Sequence, residues 1–140
     1  MKRKLLSAVY LVVGALIGLG AFGHGAQGMR HLDPALEAVT LPPEMAGVIR
    51  IVWYFVSGCM LTFGGLIYWA WFAAARGNYW ALAVPAMIGG FYMITGIASF
   101  AYQPNPFWLL FSVEGCLLLV AALSLRSGEA ALPGKLNARS

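Results

Sequence analysis

Acidic side chains are scarce in this chain: five Asp and Glu stand among 140 residues, against nine Lys and Arg, so only 10% of residues are charged. A soluble domain carries about 25%, and so low a content excludes an ordinary water-exposed surface. Cysteine is nearly as rare. The two cysteines, Cys59 and Cys116, form no C-x-x-C. That spacing points away from a thiol redox pair and from a zinc site, and leaves both as small core residues. Neither G-x-S-x-G nor H-E-x-x-H occurs, so no hydrolase signature is present.

What fills the space is apolar. Hydrophobic residues make up 61% of the chain, and mean hydropathy is +0.77. Residues 5–23, 51–75, 77–113 and 115–125 contain no Asp, Glu, Lys or Arg. A membrane-spanning helix needs about 20 apolar residues, and four such spans fit, at about 5–23, 45–72, 79–101 and 107–125. The expectation is an all-α, four-transmembrane-helix bundle, a single domain over 1–126 with a tail at 127–140. The opening MKRK followed by an apolar run also fits a signal peptide, but the run exceeds the usual h-region of about 7–15 residues and reads as a retained helix.

Lys and Arg set orientation. Lys2, Arg3, Lys4, Arg76, Arg126, Lys135 and Arg139 fall on one side of four spans, while Arg30 and Arg50 fall toward the other with Asp33, Glu37 and Glu44. Both termini are therefore expected in the cytoplasm. This asymmetry accounts for the net charge of +4 without a nucleic-acid partner.

The segment 24–44 is the sizeable outer loop. Asp33-Pro34 reads as an N-cap followed by Pro at the first helical position, opening a short interfacial helix lined by Leu32, Ala35, Leu36 and Val39. Arg76-Gly77-Asn78 is a cytoplasmic turn and Gln103-Pro104-Asn105-Pro106 an outer one. Tyr68, Trp69, Trp71, Tyr79 and Trp80 around the first, and Tyr102, Phe107 and Trp108 around the second, form interface belts. Pro85 is a candidate kink within span three. Gly14 and Gly18, at G-x-x-x-G spacing, and Gly64, Gly65, Ala86, Gly90 and Gly96 offer close helix packing inside the chain.

Glu114 stands out, a carboxylate inside PNPFWLLFSVEGCLLLVAALSLR. A charge at membrane depth costs roughly 3 kcal/mol on insertion scales, so it calls for a partner or a task. Counted from Pro106, Glu114 lies roughly 12 Å below the outer boundary, and Arg50, counted from Pro43, roughly 10 Å. Matched depth makes Arg50 the expected partner. His24 and Gln27 at the end of span one, with Tyr102 and Gln103 at the end of span three, add polar groups at the same level. The functional expectation is an outward-facing polar pocket on Arg50, Glu114 and His24, holding an amphipathic small molecule such as a lipid or quinone. The bland alternative has Arg50 snorkelling to headgroups or neutralising Glu114 as helix glue. A copper site from His24, Met29, His31 and Met45 is a further option, since thioether and imidazole suit that metal. Haem is disfavoured, because His24 and His31 come from one short segment.

The layout resembles the DoxX-like group of small four-helix bacterial membrane proteins. The resemblance covers the whole chain and rests on the Gly-rich first helix ending GLGAFGHG and on the last helix PNPFWLLFSVEGCLLLVAAL, entered by Pro and holding an acid. It implies a bacterial inner-membrane location and, as for some members of the group, a link to quinone or sulfur oxidation chemistry; His24 stands where a basic residue is expected, and no catalytic residue is carried over. The leading expectation is a binding or accessory subunit, partnered by membrane lipids and by a transmembrane protein or a second copy. The rivals are an enzyme or electron-transfer component using His24 and Glu114 for proton movement, and a proton-coupled transporter.

Overall fold

The structure, a computed structural model, describes the backbone of residues 2–130 and the side chains of 4–127. Of the expected tail, residues 131–140 lie outside the described residues. The elements are α1 (Lys2–Phe22), a π-helical turn (Gly23–Gly28), α2 (Met29–Ala38), α3 (Pro43–Ala75), a 3-10 turn (Tyr79–Leu82), α4 (Ala83–Tyr102) and α5 (Phe107–Ala130). No strand occurs among the described residues.

Four helical stretches are long and apolar enough to cross a membrane: Lys4–Ala38, Pro43–Ala75, Tyr79–Tyr102 and Phe107–Ser127. This is the make-up of a multi-pass membrane protein. Large apolar side chains such as Leu19, Ile51, Phe55, Met87 and Ile94 are exposed on them, on a scale that water does not tolerate in a soluble monomer.

The helical boundaries differ from expectation in three places. The first stretch does not stop near Gly23 but runs on to Ala38 through the π-helical turn. Asp33-Pro34 therefore opens no helix; Pro34 lies inside α2, whose N-cap position is Gly28. Pro85 falls in the first turn of α4, directly after the 3-10 turn. Amides of a first turn lack intrahelical acceptors in any case, so a residue without N–H costs little there and no mid-helix kink is required. At the other end α5 continues to Ala130, past the expected boundary of the membrane domain.

The chain forms two compact units, one of residues up to Gly14 together with those from Leu66 onward, the other of Ala15–Gly65. In the first, α4 and α5 approach at backbone distance. A Cβ on Gly89 would come within 2.7 Å of both the Gly115 carbonyl oxygen and the Leu119 nitrogen. Seven residues along, Gly96 stands against Ser112, whose hydroxyl donates to the Met93 carbonyl at 3.2 Å. Leu118 and Ala122 are fully buried. The α1 and α3 portions of this unit are tied by side-chain hydroxyls. The buried Tyr10 donates to the Ile67 carbonyl at 2.7 Å, and Tyr68 to that of Leu11 at 3.0 Å.

In the second unit, α3 runs antiparallel to the α1–α2 stretch. Arg50, Trp53, Ser57, Met60 and Gly64 recur on α3 at the three-four spacing that places residues on one face. They meet, in turn, Asp33, Gly28, Gly25, Gly20 and Gly18. At Gly18 and Gly64 the two backbones come close, with only 3.3 Å between the Gly64 Cα and a Cβ built on Gly18. The small-residue spacing at Gly14 and Gly18 thus serves packing within the chain, Gly14 lying against Ile67 in the first unit.

Candidate functional site

The polar side chains of the second unit gather where the first helical stretch changes pitch. The sequence there is GHGAQG, and its glycines cut a recess that α3 fills. A Cβ on Gly25 would sit 3.2 Å from the Ser57 hydroxyl, and one on Gly28 only 2.5 Å from the Trp53 ring. Trp53 lies flat in this recess. Its indole stacks on the His24 imidazole with ring centroids 4.2 Å apart and planes 13° from parallel. Its Nε1–H donates to the His24 carbonyl oxygen at 2.7 Å. Interhelical bonding of a backbone carbonyl suits a π-helical turn, where the regular ladder of the α-helix is interrupted.

Ser57 orients the ring. It is buried, and its hydroxyl donates to the Trp53 carbonyl one turn back at 3.1 Å. With that proton directed to the carbonyl, Oγ is free to accept from His24 Nδ1, 2.9 Å away, in the tautomer that carries its proton there. In the neutral ring the lone pair then resides on Nε2, which has no hydrogen-bond partner among the described residues. In this tautomer the serine proton is directed to a backbone carbonyl and not to the imidazole. The arrangement holds an imidazole in one tautomer and leaves one nitrogen available.

One turn before Trp53 on α3, Arg50 Nε–H donates to Asp33 Oδ1 of α2 at 2.7 Å, both side chains being about two-fifths exposed. Asp33 is thus an ion-pair partner rather than a helix cap. Gln27 and His31 are exposed on their helices. Met29 is buried and Met45 exposed. Among the described residues, no group of three or more His, Cys, Asp or Glu could hold a metal ion.

The first unit holds the remaining candidates. Glu114 is partly buried on α5, at the helical spacing of Leu118, Ala121 and Leu125, all of which are buried. It makes no hydrogen bond or ion pair among the described residues. Tyr102 and Gln103 are exposed at the end of α4. The Trp108 indole nitrogen is buried without a partner among the described residues. Cys59 is partly buried and Cys116 exposed on α5, so the expectation of two core cysteines fails for Cys116.

Trp53, Ser57 and Asp33 were not among the site residues read from the sequence. The signal for the first two was present as G-x-x-G at 25–28 opposite W-x-x-x-S at 53–57. Their meaning depends on which helix faces meet. No family model matches this chain, and no curated protein or solved structure matches it either.

Proposed function

We propose that this is an integral protein of a bacterial inner membrane, with both termini in the cytoplasm, that acts as a binding or accessory subunit for an amphipathic small molecule. The basic residues Lys4, Arg76 and Arg126 support this sidedness, since Lys and Arg favour the cytoplasmic ends of spans. Length supports an outer polar end. A helical stretch of 35 residues, as from Lys4 to Ala38, is about 52 Å long, and the hydrocarbon core is about 30 Å thick. On this reading the part of the second unit holding α2 emerges at the outer interface, with Leu32 and Leu36 partly buried and Arg30, His31 and Glu37 exposed to headgroups or water.

The observation that carries the proposal is His24: its ring is fixed by Trp53 and Ser57 while Nε2 is left without a partner among the described residues. A positioned acceptor of this kind suits a hydroxyl or ammonium donor, as offered by a quinol or a lipid headgroup, with the rest of that molecule in the membrane. Arg50 and Asp33 add a neutralised pair one turn further out. Membership of the DoxX-like group belongs to the same proposal and rests on layout alone.

The test is native mass spectrometry with lipid extraction on gently solubilised wild type, His24→Leu and Ser57→Ala. A defined small molecule on the wild type, lost in His24→Leu and weakened in Ser57→Ala, is the expected result. Equal retention in all three, or no ligand on any, overturns it. A second reading is favoured by Glu114, partly buried and without a partner among the described residues. In an enzyme, electron-transfer component or proton-coupled transporter, His24 and Glu114 would each carry protons. That reading requires a chromophore spectrum or a transport activity that Glu114→Gln abolishes.

A further inference from the structure

A cavity of about 230 Å³ lies within the first unit, well away in sequence from the His24 cluster. It is lined by Ser7 of α1, Trp71 and Ala74 of α3, Tyr79 and Leu82 of the 3-10 turn, and Leu125 of α5, and it is partly open. The small side chain of Ala74 leaves the room, and Gly77, with φ of +94°, turns the chain sharply enough to bring Tyr79 and Leu82 round as another wall. A pocket that encloses a whole drug-sized ligand runs to roughly 300–1,000 Å³. This one is smaller, so it suits part of a molecule whose remainder stays in the bilayer.

Basic residues adjoin the lining positions in sequence. Each lining segment has a cation close in sequence: Lys4 three residues before Ser7 on α1, Arg76 directly after Ala75 in the turn that follows α3, and Arg126 next to Leu125 on α5. The Arg126 guanidinium is held 4.1 Å over the Trp80 ring. The nearest acid in sequence, Glu129, is four residues beyond Leu125. The Tyr79 hydroxyl has no hydrogen-bond partner among the described residues, which leaves a donor at the wall. Apolar walls, a free phenol and flanking cations complement a molecule with a chain, a polar ester region and a negative headgroup.

We propose that this cavity is a binding site for an anionic phospholipid, whose glycerol and first acyl segment enter between Trp71, Ala74 and Leu82 while the phosphate meets the basic rim. The proposal needs neither the outer ligand nor the sidedness argued above, because charge and shape at the cavity define it.

The experiment is native mass spectrometry of the full chain delipidated in detergent and then offered phosphatidylglycerol or phosphatidylcholine. The wild type is expected to retain phosphatidylglycerol with roughly tenfold preference. Ala74→Leu, which fills the cavity and leaves every charge in place, should lose the retained lipid. Ala75→Leu, at an exposed lining position, gives the same reading if Ala74→Leu does not fold. Arg126→Gln should bring the two lipids close to parity. Equal retention of both lipids by the wild type overturns the proposal. So does undiminished preference in a folded cavity-filled variant, which would assign the binding to basic surface charge alone. Retention of the His24-dependent ligand in these variants is independent of either result.

Discussion

The imidazole of His24 and the indole of Trp53 lie face to face, 4.2 Å between centroids, while the Trp53 Nε1–H donates to the carbonyl oxygen of the same histidine. Two contacts between one residue pair, one through rings and one through backbone, fix both the helix pitch and the side chain at Gly23–Gly28. The glycine at 28 is what makes room for the indole, since a Cβ there would lie 2.5 Å from the ring.

Gly28→Ala should therefore destabilise the fold by about 1–3 kcal/mol, the usual cost of overpacking, and shift the Trp53 fluorescence as the indole leaves its recess. Gly23→Ala is the control. A Cβ at Gly23 meets nothing within 4 Å, and Ala is the better helix former by up to about 1 kcal/mol, so that variant should unfold at the wild-type temperature or above it. Thermal unfolding in detergent, followed by circular dichroism and tryptophan emission, checks both. Equal loss in the two variants would contradict the packing described.

How much of this was legible in the sequence follows from what each feature depends on. The four apolar stretches depend on composition and length, and uninterrupted runs such as 51–75 announce them. Gly23, Gly25 and Gly28 have the composition of a helix stop, so the pattern ends the first helix where the fold continues it. In the fold the same glycines admit Trp53 and Ser57. Matched depth points Arg50 to Glu114, whereas in the fold Arg50 pairs with Asp33, a residue whose place before Pro34 reads as a cap. Helix rotation decides such pairings, and a stretch apolar on all sides gives no moment from which to read it.

Between α4 and α5 the decisive contact is backbone to backbone. Gly89→Ala should be among the most damaging single-methyl changes in the chain, because its Cβ would meet a carbonyl oxygen and an amide nitrogen, neither of which can rotate away. Gly90→Ala, one residue on, meets nothing within 4 Å and should be neutral or mildly stabilising. Limited proteolysis at the Gln103–Pro106 turn is a second readout, with faster cleavage expected in Gly89→Ala only.

The Arg50–Asp33 pair should contribute little to stability despite its 2.7 Å geometry, since both side chains are about two-fifths exposed and water competes for them. Arg50→Gln and Asp33→Asn are each expected to shift the unfolding midpoint slightly. The double variant should match the sum of the singles at high salt. A coupling that persists at high salt would mean the pair is shielded from water and ions.

Glu114 reverses the usual expectation for replacing a charged residue. Its carboxylate is partly buried among apolar residues of α5 and has no partner among the described residues. A charge at membrane depth costs roughly 3 kcal/mol on insertion scales. Glu114→Gln keeps the side-chain shape and cannot ionise, so it should raise the thermal midpoint in detergent or bilayer, and by more at alkaline than at acid pH, where the carboxyl itself is neutral. Glu114→Leu should do so at least as strongly. If both rise, the carboxylate is retained at a cost in stability, and the assay to pursue is the activity that the uncharged variants lose. A fall in the Gln variant would instead reveal a stabilising partner for the carboxylate, either a bound molecule or another subunit. Repeating the melt on delipidated monomer checks this, because a bound lipid or a second subunit is removed there and the midpoint should then rise.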